Sequence, residues 1–276
     1  MVRQDIQEIF RKGSRTYFSS SRFFPRPIRE DVSLLYAFVR SADNFVDVIP
    51  QKSQAFYAFW DRYKQSLCKK PVGDPVIDSF TDLMRRKKFQ PEWTEAFLRS
   101  MEMDLQKTTY DSLEDTLIYI HGSAEVIGLM MAAIMELDAS SHPHAALLGR
   151  AMQFINFIRD IAEDQKLGRN YFPQKDMKQF QLPSLDISAV LNNQNGFETF
   201  IRAQIHRYRK WQSQAETGFH FIPYRCFIPI KTASDMYQWT AETIEKNPMI
   251  VYNKKVKPSN VRIWRKAFFN LFAAKL

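Results

Sequence analysis

The sequence is poor in the residues that break helices, cross-link a chain or anchor it in a bilayer. Only 8 Gly and 2 Cys occur among 276 residues. The cysteines, Cys68 and Cys226, have no metal-ligand spacing, which fits a reducing compartment. No run of about 18 apolar residues is present, and the polar N-terminus lacks the apolar segment of a signal peptide. These absences predict a cytoplasmic protein that is soluble, or peripheral at the inner face of the cell membrane.

Alternation of apolar and polar residues with a period of two is also absent, so strands are not expected. Segments with helical periodicity are separated by prolines instead, which predicts an all-α fold. Residues 1–276 are expected to form a single domain, because 45% hydrophobic residues suffice for one large core and no linker interrupts the chain. Residues 168–195 are the least regular part and can form a flap over a cavity mouth. The predicted helices span residues 28–48, 52–67, 75–88, 91–108, 112–137, 143–167, 196–220, 230–246 and 259–274.

An acidic stripe runs along the helix that is predicted to end near residue 167. At 3.6 residues per turn, Gln153, Asn156, Asp160 and Asp164 share one face, and apolar residues occupy much of the remaining surface. Carboxylates in such surroundings are costly unless a cation or hydrogen-bond donors compensate them, and two of them one turn apart repel each other. Carboxylate and amide oxygens suit Mg²⁺ or Mn²⁺.

A second acidic stripe lies upstream, on the predicted helix that Pro50 ends. Tyr36, Arg40, Asp43 and Asp47 share one of its faces. If the two helices face each other across a bundle, four carboxylates converge on one cavity, as in bundle metal sites. The alternative for a single pair is a solvated face neutralised by an arginine, but two pairs in apolar surroundings favour a metal site. The predicted metal ligands are Asp43, Asp47, Asn156, Asp160 and Asp164.

The two acidic stretches resemble the aspartate-rich signatures of the squalene/phytoene synthase family. The first agrees in Tyr36, Ala37, Phe38, Arg40, Asp43, Val46 and Asp47. The second agrees in the spacing of Gly149, Gln153, Asn156, Arg159, Asp160, Asp164, Arg169, Tyr171 and Pro173. Residues 14–17, 119–131 and 247–259 are similar to further family elements, the last of them to the closing segment of prokaryotic phytoene synthases. The resemblance therefore covers essentially the whole chain.

Two positions depart from the family pattern. Asn44 stands where many members have a second consecutive aspartate, but it lies about 100° off the Asp43–Asp47 stripe, so metal binding should persist. Glu125 occupies a position that is commonly small, which affects the expected shape of the cavity wall and the substrate length. The small residues around it either leave room for an apolar tail or allow tight helix packing. These small residues are Gly122, Ser123, Ala124 and Gly128.

The resemblance implies an isoprenoid-synthase helical bundle around a central hydrophobic cavity. It also implies a magnesium-dependent enzyme that joins two prenyl diphosphates head to head through a cyclopropyl diphosphate. Phytoene synthases use two geranylgeranyl diphosphates and finish by losing a proton, and this product is the one we expect. The alternative is a C30 synthase that joins two farnesyl diphosphates to squalene, with NADPH as the reductant, or to dehydrosqualene. A non-catalytic relative that acts as an assembly or binding protein is disfavoured by the intact aspartates.

The resemblance also adds residues around the aspartates. It implies that Tyr36, Tyr119 and Tyr237 line the wall near the diphosphates. Arg159 lies about 100° off the Asp160 stripe, so bracing the aspartates is its predicted role. The predicted catalytic residues are Asp43, Asp47, Asp160, Asp164, Tyr36, Tyr119 and Arg40. The predicted substrate-binding residues are Ser14, Tyr17, Arg40, Gln153, Asn156, Arg159, Arg169, Tyr237, Lys254 and Lys255.

The net charge of +9 is dispersed along the chain and no nucleic-acid motif is present. We therefore expect attraction to diphosphates and anionic membrane surfaces rather than to nucleic acid. In the last helix, one face carries large apolar residues and the arginines and lysine lie largely elsewhere, which is typical of an interfacial helix. The alternative is a terminal helix docked on the core. The two interpretations are compatible with each other if the aromatic residues protrude. The apolar face consists of Val261, Trp264, Phe268, Leu271 and Phe272.

Overall fold

The computed structural model describes residues 6, 8, 9, 15–68 and 70–273, and within these it contains helices and no strand, which confirms the predicted fold class. The α-helices are α1 (Arg15–Ser21), α2 (Arg26–Val46), α3 (Ser53–Ser66), α4 (Pro75–Arg86), α5 (Pro91–Gln106), α6 (Leu113–Ile134), α7 (His142–Arg159), α8 (Ile161–Lys166), α9 (Gln174–Gln179), α10 (Ile187–Asn192), α11 (Gln194–Glu216), α12 (Tyr224–Lys246), α13 (Ile250–Asn253) and α14 (Asn260–Ala273). Within α6, His121–Glu125 form a π-helical turn.

All nine predicted helices are present, with differences at their ends and interiors. Helix α12 begins at Tyr224 rather than at residue 230, because Pro229 lies inside the helix instead of before it. The predicted helix 143–167 is divided into α7 and α8 at Asp160, whose φ of −101° and ψ of 13° leave the helical region. Helices α1, α9, α10 and α13 were not predicted, since segments of four to seven residues carry no clear period.

The apolar core consists of two clusters, one around each acidic helix. In the cluster of α2, Phe38 stacks on Phe80 of α4 with ring centroids 3.8 Å apart. In the cluster of α7, Phe157 stacks on Tyr171 with centroids 4.4 Å apart. Each acidic helix is therefore anchored by its own buried aromatic residues, which fixes the direction of its polar face.

Helix α6 lies between α5 and α7. Gly122 lies against the carbonyl oxygen of Ala96 in α5, and Gly128 lies against that of Ala145 in α7. A Cβ atom at either glycine would overlap these backbone atoms. Tight helix packing, rather than room for an apolar tail, therefore accounts for the glycines. Helix α6 is also long and apolar enough to cross a bilayer. Half of its most apolar stretch, however, is buried inside the protein.

Residues 168–195 contain two short helices and pack on the core through Leu182, Leu185 and Val190, all of which are buried. An isolated bridge pairs Pro173 with Tyr110 at the start of this segment. The segment therefore has its own apolar anchors, and its action as a flap stays a prediction.

We expect Gly122→Ala to lower the free energy of unfolding by about 1–3 kcal/mol, because the new methyl group overlaps a backbone carbonyl that cannot yield. The higher helix propensity of alanine, about 1 kcal/mol, works in the opposite direction and is outweighed. Urea unfolding measures the difference. Ile118→Ala is the control, because Ile118 is exposed on the same helix. A Gly122→Ala protein as stable as the wild type would contradict the tight α5–α6 contact.

Candidate active site

The first aspartate pair lies at the C-terminal end of α2. Asp47 follows the last helical residue, and its backbone N–H donates to the carbonyl oxygen of Asp43 at 2.9 Å. The guanidinium of Arg40 lies 3.7 Å from Asp43 and 4.0 Å from Asp47, so the arginine is shared between the two carboxylates. All three side chains are about one-third exposed. The stripe predicted from the sequence is thus the polar, partly buried end of a core helix.

The second pair lies at the junction of α7 and α8. Arg159 donates to both oxygens of Asp160, from Nε at 2.8 Å and from Nη2 at 2.5 Å, which is the bracing geometry predicted for it. Lys255 Nζ lies 3.0 Å from Asp160 and also contacts Glu163. Burial alone would raise the pKa of Asp160, but Arg159 and Lys255 outweigh it and hold this pKa below its usual range.

Arg169 joins the two pairs. Gly168, with a φ of 70°, ends α8 and turns the chain so that the backbone N–H of Arg169 donates to the carbonyl oxygen of Asp164 at 2.9 Å. Its side chain then crosses to α2, where Nη1 donates to Asp47 at 2.9 Å and Nη2 donates to the carbonyl oxygen of Val46 at 2.5 Å. The side chain is only 3% exposed. The acidic ends of α2 and α8 are therefore held together by one buried guanidinium.

Asp104 of α5 completes this centre and was not predicted from the sequence. Its carboxylate accepts hydrogen bonds from the hydroxyls of Tyr119 at 2.8 Å and Tyr171 at 2.7 Å, and it lies 3.7 Å from Arg169 Nε. Burial raises its pKa to about 6, although Arg169 and both tyrosines lower it. One signal was available in the sequence. Asp104 follows Phe97 and Met101 at helical spacing, so it lies on the buried face of α5.

The aromatic residues form a stack beside Asp104. Ring centroids of Tyr119 and Tyr171 are 4.8 Å apart, and Tyr110 lies 5.8 Å from Tyr119 and 5.9 Å from Tyr171. The stack places Tyr119 at the site. Tyr36 is half-buried against the α2 cluster, and Tyr237 is buried in the α7 cluster.

Negative charge exceeds compensation on both sides of the site. Burial and the neighbouring Asp47 raise the pKa of Asp43 to about 7. Burial raises the pKa of Asp164 well above its usual range, and the charges of Asp160, Asp104 and Asp47 add to the effect. Carboxylates from α2, α5 and α8 thus influence one another, which means that the two predicted acidic stripes converge.

The residues present fit a hard divalent cation. Asn156 Oδ1 is buried and has no hydrogen-bond donor among the described residues, while its Nδ2 donates to Gln153 Oε1 at 3.4 Å. An orphaned amide oxygen beside under-compensated carboxylates is the donor set that Mg²⁺ or Mn²⁺ prefers. Over the described ranges, no three His, Cys, Asp or Glu side chains already form a cluster that could hold an ion. An ion held by one aspartate pair therefore needs further oxygen ligands from water or substrate.

Two of the four remaining predicted residues fall wholly or partly outside the described part of the chain. Ser14 lies outside the described residues, as does the side chain of Tyr17. Of the two candidate lysines, Lys255 contacts Asp160, whereas Lys254 is exposed. Lys255 is thus the one positioned to meet a ligand of the second pair.

Glu125 lies away from the aspartates. Its carboxylate pairs with Arg150 Nε of α7 at 2.5 Å and with His121 Nδ1 at 3.0 Å, and the side chain of His121 is 55% exposed. The buried carboxylate is therefore compensated at the outer edge of the α6–α7 contact. The expected effect of Glu125 on the cavity wall receives no support from this position.

Comparison with known proteins identifies the family of the chain. The model of the squalene/phytoene synthase family matches residues 10–262. The chain belongs to the squalene/phytoene synthase family. Its members are prenyltransferases that act on prenyl diphosphates, so the predicted enzyme class is confirmed.

Relatives with curated names are phytoene synthases. The 15-cis-phytoene synthase of Synechococcus elongatus is 25% identical over an alignment of 280 positions, gaps included. The alignment covers 95% of this chain and 89% of the relative. That of Pantoea ananas is 26% identical, with 85% of this chain and 79% of the relative covered.

Solved structures share the fold. A dehydrosqualene synthase in complex with a ligand has a TM-score of 0.87 at 21% identity, with 98% of this chain and 95% of that chain covered. The squalene synthase HpnC from Alicyclobacillus acidocaldarius has a TM-score of 0.78 at 22% identity, with 88% and 92% covered. At these identities the likeness concerns the fold alone.

We expect Arg169→Gln to lower the free energy of unfolding by about 3–5 kcal/mol, because it leaves Asp47 and Asp104 without their buried partner. Arg202→Gln is the matched control. Arg202 pairs with Glu198 on the surface of α11, and its loss should cost no more than about 0.5 kcal/mol. Equal effects of the two substitutions in urea unfolding would show that Arg169 does not hold the acidic ends of α2 and α8 together.

Asp43 should make stability depend on pH. The pKa of Asp43 is 3.8 as the ordinary value and about 7 in the folded protein. Between these two pH values the folded state keeps a proton that the unfolded state has released. Stability from this group is therefore lost as pH rises through that window. Asp43→Asn mimics the protonated form, so its advantage over the wild type should grow from about pH 4 to about pH 8 and shrink again when Mg²⁺ is added. A difference in unfolding free energy that stays constant over this range would contradict the assignment.

Proposed function

We propose that the protein is a magnesium-dependent prenyltransferase that joins two geranylgeranyl diphosphates head to head to form phytoene. The observation that carries the proposal is the position of Arg169, whose side chain donates to Asp47 of the first pair and whose backbone N–H donates to the carbonyl oxygen of Asp164 of the second. The two pairs thereby lie close enough for their charges to act on each other. The phytoene synthases among its relatives, matched over most of their length, support the C20 substrate.

The aspartates and one amide supply the oxygens for metal. Asp43 and Asp47 would hold an ion at the end of α2, and Asp160, Asp164 and Asn156 would hold another at the α7–α8 junction. Bound Mg²⁺ neutralises the diphosphate and draws the C–O bonding electrons toward phosphate, which makes diphosphate a better leaving group. Mn²⁺ prefers the same oxygen ligands.

Cationic and amide side chains bind and orient the diphosphates. Arg40 is one-third exposed beside its aspartates, so its guanidinium can reach phosphate oxygens without leaving them. Lys255 lies beside Asp160, and Gln153 lies one turn before Asn156. Arg159 acts as a positioning residue, because both of its donors to Asp160 hold that carboxylate in one orientation.

The aromatic stack suits the electron-poor carbon that remains when diphosphate leaves. Tyr119 and Tyr171 belong to this stack, and Phe157 stacks on Tyr171. The faces of such rings carry negative charge density and stabilise a nearby cation. Water would quench such a cation, so its surroundings have to be dry. These rings are nearly or fully buried, which fits that requirement.

The proposed reaction has two steps, and each releases one diphosphate and one proton. In the first step one substrate loses diphosphate, its first carbon adds to the double bond of the second substrate, and proton loss closes a cyclopropane ring. In the second step the remaining diphosphate leaves, the ring rearranges to join the two first carbons, and another proton is lost. No reductant enters this sequence. The C30 alternative that forms squalene would consume NADPH.

Product analysis tests the proposal. Purified protein with Mg²⁺ and geranylgeranyl diphosphate should yield phytoene, identified by chromatography and mass spectrometry, and a chelator should abolish the product until Mg²⁺ or Mn²⁺ is restored. Farnesyl diphosphate, with and without NADPH, is the comparison. Preferred conversion of the C15 substrate would replace our assignment by the C30 alternative, and absence of any hydrocarbon would favour a non-catalytic role.

Asp160→Ala serves as the active-site control in this assay. It should reduce turnover more than about 100-fold, because residues that merely support a metal ligand already contribute up to that factor. Circular dichroism should show an intact fold. Asp61→Ala is the matched substitution, because Asp61 forms an exposed surface pair with Lys64. Normal phytoene formation by the Asp160→Ala protein would remove Asp160 from the metal site.

A further inference from the structure

Helix α14 docks on the protein through one narrow stripe of residues. Ile263, Ala267 and Asn270 are buried and recur at helical spacing. Asn270 Nδ2 donates to Thr232 Oγ1 at 3.2 Å and to Asp235 Oδ2 at 2.8 Å, both in α12. A buried amide with two partners fixes the rotation of the helix about its axis. The docked stripe is therefore narrow and defined.

Its large apolar residues consequently face outward. The stripe that contains Trp264 and Phe268 is turned by about 120° from the docked stripe on the helical pitch. Phe268 is 57% exposed and Phe272 59% exposed. Six of the thirteen exposed large apolar side chains among the described residues lie on this one helix, so they form a patch rather than scattered single residues. The six are Val261, Trp264, Phe268, Phe269, Leu271 and Phe272.

The patch continues onto neighbouring elements. The hydroxyl of Tyr224, at the start of α12, donates to the carbonyl oxygen of Leu271 at 3.1 Å, and its ring is 43% exposed. Nearer the start of α14, Phe23 packs edge-on against Trp264 with centroids 4.8 Å apart. The apolar surface therefore extends from α14 onto Phe23 and Tyr224.

Cations accompany the patch. Helix α14 contains Arg262, Arg265 and Lys266 and no acidic residue. Arg22 lies over the ring of Trp264 at 5.7 Å. Lys266 lies 3.6 Å from Asp235, which Lys231 also contacts. An aromatic surface edged by positive charge is complementary to the headgroups and upper acyl chains of an anionic bilayer.

A second copy of the chain fits this surface less well. A symmetric dimer would bring the same patch of both copies together, because a two-fold contact is self-complementary. Arg265 and Lys266 of each copy would then face those of the other in a partly desolvated contact, and like charges there are unfavourable.

We propose that α14 seats the protein on a bilayer surface that contains anionic lipid. The aromatic residues enter the interface between headgroups and acyl chains, and the arginines and lysine contact lipid phosphates. The proposed substrate has a long apolar chain beside its diphosphate, and the hydrocarbon product is apolar throughout, so a bilayer contact places the enzyme where these molecules reside. The docking itself rests on α14 alone and does not depend on the proposed reaction.

Vesicle flotation tests this docking. Full-length protein is mixed with vesicles of phosphatidylcholine, or of phosphatidylcholine with phosphatidylglycerol, and the bound fraction is measured. Binding to the anionic vesicles is expected to be stronger and to decrease with salt. The double variant Phe268→Ser, Phe272→Ser should bind more than about tenfold more weakly, given the apolar area that it removes. Arg265→Gln should lose about fivefold on anionic vesicles only.

Leu191→Ser is the matched control, because Leu191 is 60% exposed on α10, away from α14. It should bind like the wild type. All variants should retain the wild-type unfolding midpoint and their activity on detergent-solubilised substrate, which separates a docking defect from a folding or catalytic one. Failure of the wild type to bind anionic vesicles would overturn the proposal. So would equal binding by the double variant, or a concentration-dependent dimer in sedimentation velocity that the double variant abolishes while vesicle binding persists.

Discussion

A single buried guanidinium, that of Arg169, holds the acidic centre together. It reaches Asp47 and Asp104 directly, and its own backbone is fixed to Asp164 by the turn at Gly168. This cation does not balance the carboxylates around it, because the pKa values of Asp43 and Asp164 remain raised. An anionic diphosphate alone would make the imbalance worse. Additional cations would offset this imbalance, which is the physical reason why the proposed function includes bound metal rather than simple anion binding.

The acidic stripes could be predicted because a helix has a fixed pitch. Carboxylates spaced i, i+4 in an apolar segment point in one direction wherever the helix packs, so Asp43 and Asp47 needed no tertiary information. The role of Arg159 followed from the same arithmetic. That the stripes face one another is a tertiary fact, and it depended on Arg169, which lies outside any regular helix. The sequence resemblance pointed to this arginine, but its partners Asp47 and Val46 are more than 120 residues away in the chain.

Residues whose role depends on a single side chain were harder to predict. Asp104 is one acidic residue on a mostly apolar face, and such a residue signals a site only when its partners are known. The break at Asp160 depends on one pair of dihedral angles, although the hydrogen bond from Asp164 N–H to its carbonyl oxygen is retained. For α14 the sequence defined the aromatic face, but not that the helix would dock through Ile263, Ala267 and Asn270 and leave the aromatic face exposed.

The contacts of α6 limit where an apolar tail can lie. Gly122 closes the side toward α5, Gly128 closes the side toward α7, and Glu125 is paired with Arg150 near the surface, so none of these positions borders an open wall. Tyr119 and Ser123 lie one turn apart on a further face, where the Tyr119 hydroxyl meets Asp104 and Ser123 Oγ is buried without a hydrogen-bond partner among the described residues. Because this hydroxyl is enclosed as well, the face of Tyr119 and Ser123 is packed like the other two. The contacts of α6 therefore give no support to an apolar tail that lies along this helix.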